Sequence, residues 1–150
     1  PSGGLWCHGA VGVGRFFLHA ARLDNVHPRS AELAARAART AARGGRWSPP
    51  VQCHGLAGNI ELLLDAYQLF GEPAYLREAR SLGRLLEAFG SEHDGRLAWP
   101  SETPRTFSPD YMVGYAGVAA CLLRLADPED VPHLLSRDTF KQLSRADSPA

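Results

Sequence analysis

The stretch Gln52-Cys53-His54-Gly55-Leu56-Ala57-Gly58 is the most informative part of this chain, because the same phrase stands at two other places. The first copy reads Trp6-Cys7-His8-Gly9-Ala10-Val11-Gly12. The third reads Tyr111-Met112-Val113-Gly114-Tyr115-Ala116-Gly117, and it keeps both glycines but not the cysteine and histidine. The copies recur after 46 and then about 60 residues. A repeat of this length is typical of an array of helical hairpins.

An apolar run at helical spacing follows each copy of the phrase, over residues 11–23, 60–70 and 118–126. Two amphipathic segments lie between these runs, over residues 29–43 and 73–89. Glycines mark several of the predicted helix ends, and residues 96–99 are too short a run to predict a strand. The pattern predicts an all-α fold of five helices that alternate between inner and outer positions. The polar tail after residue 128 offers at most one short helix, near residues 139–143.

The composition is that of an ordinary globular domain. The 150 residues are 45% hydrophobic and 21% charged, and the formal net charge is zero. We therefore expect no nucleic-acid partner, and no apolar run is long enough to span a membrane. Three cysteines argue against a disulfide framework, and no signal peptide is visible, so we expect a cytoplasmic protein with reduced thiols. The first phrase begins almost at Pro1, which suggests a piece of something larger.

Cys7, Cys53 and His54 are the candidate metal ligands. Each phrase precedes an inner helix, so an array of hairpins would gather the three loops at one end. Two thiolates and one imidazole form a ligand set that zinc prefers, and three protein ligands leave a fourth tetrahedral position open. The alternative is a pair of buried cysteines with a histidine that caps a helix.

These phrases resemble the C-terminal half of the lanthionine synthetase C-like (LanC-like) family, and the third is similar to the last repeat of its bacterial members. The resemblance covers most of residues 5–127 and implies an α/α toroid with a zinc ion held by Cys7, Cys53 and His54. Residues 1–127 would then be the C-terminal part of a cyclase domain, and residues 128–150 a polar tail. The implied activity is the addition of cysteine thiols of a precursor peptide to dehydrated serine or threonine, which closes thioether rings. One implied partner is the N-terminal half of the toroid. Another is either a pair of lyase and kinase domains or a dehydratase domain.

His8 is the candidate catalytic residue, because the enolate formed after thiol addition needs a proton donor and His8 adjoins a ligand in sequence. Asn59, Glu61 or Asp65 could orient His54 through its second ring nitrogen. The alternative for Glu61 and Asp65 is a solvated position on the helix. Asp110 and Tyr111 either line the site or, for Asp110, cap the third inner helix.

Two further features limit what this chain is expected to do. The resemblance places an arginine where Gly3 stands, and it places other acid and base residues in the N-terminal half. We therefore expect little cyclase activity from these residues alone. The alternatives to an enzyme are a non-catalytic zinc-thiol module that binds glutathione or a peptide, and a structural remnant that folds only with a partner segment.

Overall fold

A computed structural model describes residues 4–23, 27–103 and 105–135, and five α-helices account for most of these ranges. The helices are α1 (Ala10–Arg22), α2 (Ser30–Gly44), α3 (Leu56–Phe70), α4 (Pro73–Glu87) and α5 (Tyr115–Ala126). The predicted all-α fold and its five helices are thus confirmed, with ends within a few residues of those expected. The predicted helix near residues 139–143 lies outside the described residues.

Helix α3 is the centre of the domain. Its residues from Leu56 to Ala66 are all buried, and it contacts α1, α2, α4 and α5. The apolar residues that predicted an inner helix therefore pack on all sides, as expected for a helix without a polar face. Helix α3 contacts both α1 and α5, and α2 contacts α4. The division into inner and outer helices stays a prediction, as does closure of the array into a toroid.

Small residues let the helices of the first hairpin approach closely. The buried face of α2 consists largely of alanines, and a Cβ placed on Gly14 of α1 would lie 2.6 Å from the Cβ of Ala37. At the end of α3, Gly71 adopts a left-handed φ of 69°, and its N–H bonds to the carbonyl of Tyr67. This glycine ends α3 as the sequence predicted.

A short β-hairpin corrects the expectation of no strand. Strand β1 (Ser91–His93) pairs antiparallel with β2 (Arg96–Ala98), with Glu92 opposite Leu97. Asp94 and Gly95 form the turn with φ angles of 52° and 71°. Positive φ at both central residues is what a tight type I′ hairpin requires, and Asp-Gly is a favoured pair for it. The turn chemistry, and not strand periodicity, is what predicts this hairpin.

The segment 128–135 packs against the helices after α5 ends. Val131 accepts a hydrogen bond from the Arg124 side chain at 3.2 Å, and His133 is only 3% exposed. Within the described ranges, no helix combines the length and apolar character needed to cross a bilayer.

Candidate metal centre

The three repeated phrases fold in the same way. Gly9, Gly55 and Gly114 are the N-caps of α1, α3 and α5, and their φ and ψ angles agree within about 11° and 3° of one another. None of the three has a side-chain cap. The third phrase therefore keeps the backbone of the first two although its ligands are lost.

The second glycine of each phrase allows the loop to fold back on the first turn of its helix. A Cβ on Gly58 would lie 2.1 Å from the carbonyl oxygen of Gln52. The same substitution at Gly12 and Gly117 would bring Cβ to 2.1 Å and 1.9 Å from the equivalent carbonyls. Any side chain at these positions would push the loop away from the helix, so the glycines fix where the ligand residues lie.

Backbone hydrogen bonds join the three loops. The N–H groups of Trp6 and Cys7 donate to the carbonyl of Cys53 at 2.9 and 3.3 Å. The N–H of Cys53 donates in turn to the carbonyl of Met112 at 2.8 Å. The side-chain amide of Gln52 also donates to the Gly117 carbonyl at 2.9 Å. The main chain therefore holds the first two phrases side by side.

Cys7, Cys53 and His54 meet at this junction. Their ligand atoms all lie within 4.8 Å of one another, and this is the group that the described residues offer for a metal ion. All three cysteines of the chain are free thiols. Two sulfurs and one imidazole at this separation fit Zn²⁺, which binds both donor types at about 2.0 to 2.3 Å. The candidate ligands drawn from the sequence thus lie together in the structure.

The thiol of Cys53 lies in surroundings that disfavour its charge. Burial, the contact with Cys7 and the charge of Glu102 together raise the pKa of Cys53 to about 11. If two adjacent thiols both ionise, the negative charges repel each other, so the second ionisation is unfavourable unless a cation lies between them. A divalent cation would remove this penalty, because thiols that coordinate it are deprotonated.

His8 lies on the exposed side of the cluster. Its Nδ1 is 3.0 Å from the Sγ of Cys7, and both residues are exposed to solvent. The structure therefore places the candidate catalytic histidine beside one candidate ligand, where it is open to solvent.

Glu102 is the site residue that the sequence did not predict. Its carboxylate Oε2 contacts Nε2 of His54, and the two side chains are 47% and 27% exposed. Glu102 belongs to no motif and follows β2 in the loop before α5. The Asp-Gly turn and the longer interval before the third phrase are the sequence signals of an extra element in this region.

Glu61 and Asp65 do not orient His54, and they are not solvated either. They form a buried ion cluster with Arg15 of α1 and Arg124 of α5, and the ring of His133 lies against this cluster. Arg124 is 1% exposed and pairs with both carboxylates, at 2.7 Å for Asp65 Oδ1. This cluster ties α1, α3 and α5 to the C-terminal segment.

The buried ion cluster shifts the pKa of each of its acids and of His133. Burial raises the pKa of Glu61 even though Arg124 acts against it. Burial also opposes ionisation of Asp65, but Arg124 and Arg15 outweigh it and lower the pKa of that carboxyl. For His133, burial and the two arginines lower the pKa to about 3 despite the charge of Asp65. His133 is therefore neutral at physiological pH.

The other candidates have local roles. Asn59 donates to the Gly55 carbonyl at 2.8 Å and not to His54. Asp110 accepts from the N–H groups of Met112 and Val113 at 2.7 and 2.8 Å, so it caps the turn before α5. The Tyr111 hydroxyl is buried and has no hydrogen-bond partner among the described residues.

The fold and the cluster together define a helical-repeat domain with a thiol-rich site built from its inter-helix loops. A family model described as lanthionine synthetase C-like protein matches residues 2–136. The chain belongs to this family, which confirms the resemblance drawn from the motifs. Its assignment to the C-terminal half and to the bacterial members stays a prediction, as does the domain boundary at residue 127.

Proposed function

We propose that this chain carries the zinc site of a thioether (lanthionine) cyclase, which adds cysteine thiols to dehydrated serine or threonine in a precursor peptide. The observation that supports this most directly is the meeting of Cys7 with Cys53 and His54 from a second repeat, within 4.8 Å. Family membership supports the same chemistry. Because the substrate and the ligands must be reduced thiols, we place the reaction in the cytoplasm.

Cys7, Cys53 and His54 would hold the metal. Zinc bound there would supply a Lewis acid that lowers the pKa of a substrate thiol, which near pH 7 is otherwise mostly protonated. Three protein ligands leave one position for that thiol, as in catalytic zinc sites.

The reaction joins the peptide sulfur to Cβ of a dehydroalanine or dehydrobutyrine. The thiol loses its proton, the sulfur–carbon bond forms, and the carbon–carbon double bond opens toward Cα. Cα then takes up a proton, so the product has the composition of the two reactants together. His8 is our candidate for that proton transfer, since it is exposed and its Nδ1 lies 3.0 Å from Cys7 Sγ. A positioned acid of this kind contributes about 10²- to 10⁴-fold in rate.

Metal analysis tests the first half of the proposal. The purified chain should hold about one zinc per molecule, and Cys53→Ala should lower the zinc content severely because one of three ligands is gone. Cys121→Ala is the matched control, since Cys121 is buried in the core away from the cluster. Equal zinc content in Cys53→Ala and Cys121→Ala would refute the ligand set.

Thiol addition tests the second half. The zinc-loaded chain is mixed with a thiol peptide and a separate dehydroalanine peptide, and free thiols are counted by alkylation and mass spectrometry. Although little ring closure is expected from these residues alone, zinc activation of the thiol should still make this addition between separate peptides about tenfold faster than with Cys53→Ala. His8→Gln should slow it at unchanged zinc content. Zinc binding without any rate difference would instead favour the non-catalytic module that binds glutathione or a peptide.

A further inference from the structure

We propose that Glu102 is a positioning residue that fixes the orientation and tautomer of His54, so that Nδ1 faces the two thiols. The contact between the Glu102 carboxylate and His54 Nε2 carries this inference. It rests on the proposed function, because it assigns a role within the same metal centre.

The chemistry of the two groups determines which ring nitrogen is left for a metal. An ionised carboxylate only accepts hydrogen bonds, so Nε2 of His54 must be the nitrogen that carries the proton. A neutral imidazole then has its single lone pair on Nδ1. Histidines that ligate metals almost always donate their other N–H to a carboxylate, a carbonyl or water, which fixes the ring and raises its basicity.

The loop that carries Glu102 is held in place by both of its flanks. The buried Trp99 donates from its indole N–H to the Leu86 carbonyl of α4 at 2.9 Å. The N–H of Ser101, which is 8% exposed, donates to the Thr106 carbonyl at 2.7 Å. Glu102 follows both Trp99 and Ser101 and lies inside the turn that the Ser101–Thr106 hydrogen bond closes, so its carboxylate is presented to His54 by a constrained turn.

The Glu102 loop and the β-hairpin lie in the longer of the two intervals between the phrases. The spacing from Cys7 to Cys53 is 46 residues, and that from Cys53 to Met112 is 59. The longer interval contains β1, β2 and the Glu102 loop. We infer that the extra residues bring a carboxylate to the one histidine of the candidate ligand set.

The charge of Glu102 also acts on the cluster. Its carboxylate contacts the imidazole of His54, which is one of the three candidate ligands. A carboxylate beside a zinc ligand makes the whole ligand set richer in electrons. A substrate thiolate at such a centre would keep more of its nucleophilic character.

The experiment compares the wild-type chain with Glu102→Ala, Glu102→Gln and Glu92→Ala. Zinc affinity is measured by competition with a chromogenic chelator, and the ligand set by the absorption spectrum of the Co²⁺-substituted chain. We expect Glu102→Ala to weaken zinc binding about 10- to 100-fold, the range found for lost partners of ligating histidines. Glu102→Gln should recover most of that loss, because its amide oxygen accepts the same N–H. Glu92 lies exposed on β1, so Glu92→Ala should match wild type.

The cobalt spectrum separates a positioning role from direct ligation. We expect Glu102→Gln to keep the thiolate-to-cobalt bands and the ligand-field bands of wild type. A spectrum that changes as if an oxygen ligand were lost would overturn the proposal by making Glu102 a ligand itself. Unchanged zinc affinity in Glu102→Ala would overturn it while leaving the Cys7, Cys53 and His54 site intact. Failure of the wild-type chain to bind zinc would refute both proposals.

Discussion

Replacing Arg124 by leucine removes the cation that holds the buried ion cluster together. Arg124 pairs with Glu61 and lies 2.7 Å from Asp65, and its guanidinium also donates to Gln68 at 2.7 Å. After the substitution two carboxylates would remain at the centre of the domain. Arg15 would be the nearest arginine, at 3.8 Å from Asp65.

The expected loss in the free energy of unfolding is about 3 to 5 kcal/mol, the usual cost of removing one partner from a buried ion pair. Domains of this size have about 5 to 15 kcal/mol in total, so the loss is large. It should depend on pH through Glu61. Burial already raises the pKa of this carboxyl, and without Arg124 the pKa rises further. A group with a raised folded-state pKa stabilises below its unfolded pKa and loses that contribution as pH rises, so the defect should be greater at pH 8 than at pH 5.

Urea unfolding followed by circular dichroism at the two pH values measures both effects. Arg77→Leu, on the exposed face of α4, is the control and should change the free energy of unfolding by no more than about 0.5 kcal/mol. Adding Glu61→Leu to Arg124→Leu should recover part of the loss, because Asp65 then keeps Arg15 as its partner. A loss under about 1 kcal/mol for Arg124→Leu, or one that is equal at pH 5 and pH 8, would refute the reasoning.

Three further predictions follow from single positions. Gly58→Ala should lower the free energy of unfolding by about 1 to 3 kcal/mol, because the new Cβ would lie 2.1 Å from the carbonyl oxygen of Gln52. Urea unfolding measures this loss, and an unchanged free energy of unfolding would contradict the close packing. Burial lowers the pKa of His133 to about 3 in the fold from its ordinary value of 6.5. The neutral ring is therefore compatible with the folded state above pH 6.5, and between pH 6.5 and about 3 the free energy of unfolding should fall by up to about 1.4 kcal/mol per pH unit. Acid unfolding of His133→Leu should therefore show a shallower slope than wild type. Phe16 and Leu123 are 63% and 68% exposed on α1 and α5, so the chain should self-associate with concentration, and Phe16→Ser should reduce this in light scattering.

The helices and the ligand cluster could be predicted because their signals are local or repeated. Each apolar run has its own period, and each phrase marks a helix start with a glycine that the packing requires. Cys7 and Cys53 were predicted to meet because equivalent loops of a repeat array gather at the same end. The sequence therefore supported both the fold class and the position of the candidate site within it.

The partners of buried charges could not be predicted, because they come from different helices. Glu61 and Asp65 are the only acids in an apolar run, and no pattern in the neighbouring sequence indicates that Arg124 contacts Asp65 or that His133 contacts Glu61. The contact between Glu102 and His54 could not be predicted either, because Glu102 lies 48 residues from His54 in a loop without a motif. Side-chain pairs of this kind depend on the final packing, which periodicity alone does not determine.

The candidate ligands lie on two helical hairpins, so a metal bound by them would cross-link the first hairpin to the second. It would join Cys7 to Cys53 and close a loop of 46 residues, as a disulfide between those positions would. The chain-entropy model gives such a closure about 4 kcal/mol of stabilisation, drawn mostly from the unfolded chain. A metal there would thus serve both folding and the proposed chemistry, and a chelator should lower the melting temperature as well as stop the proposed thiol addition.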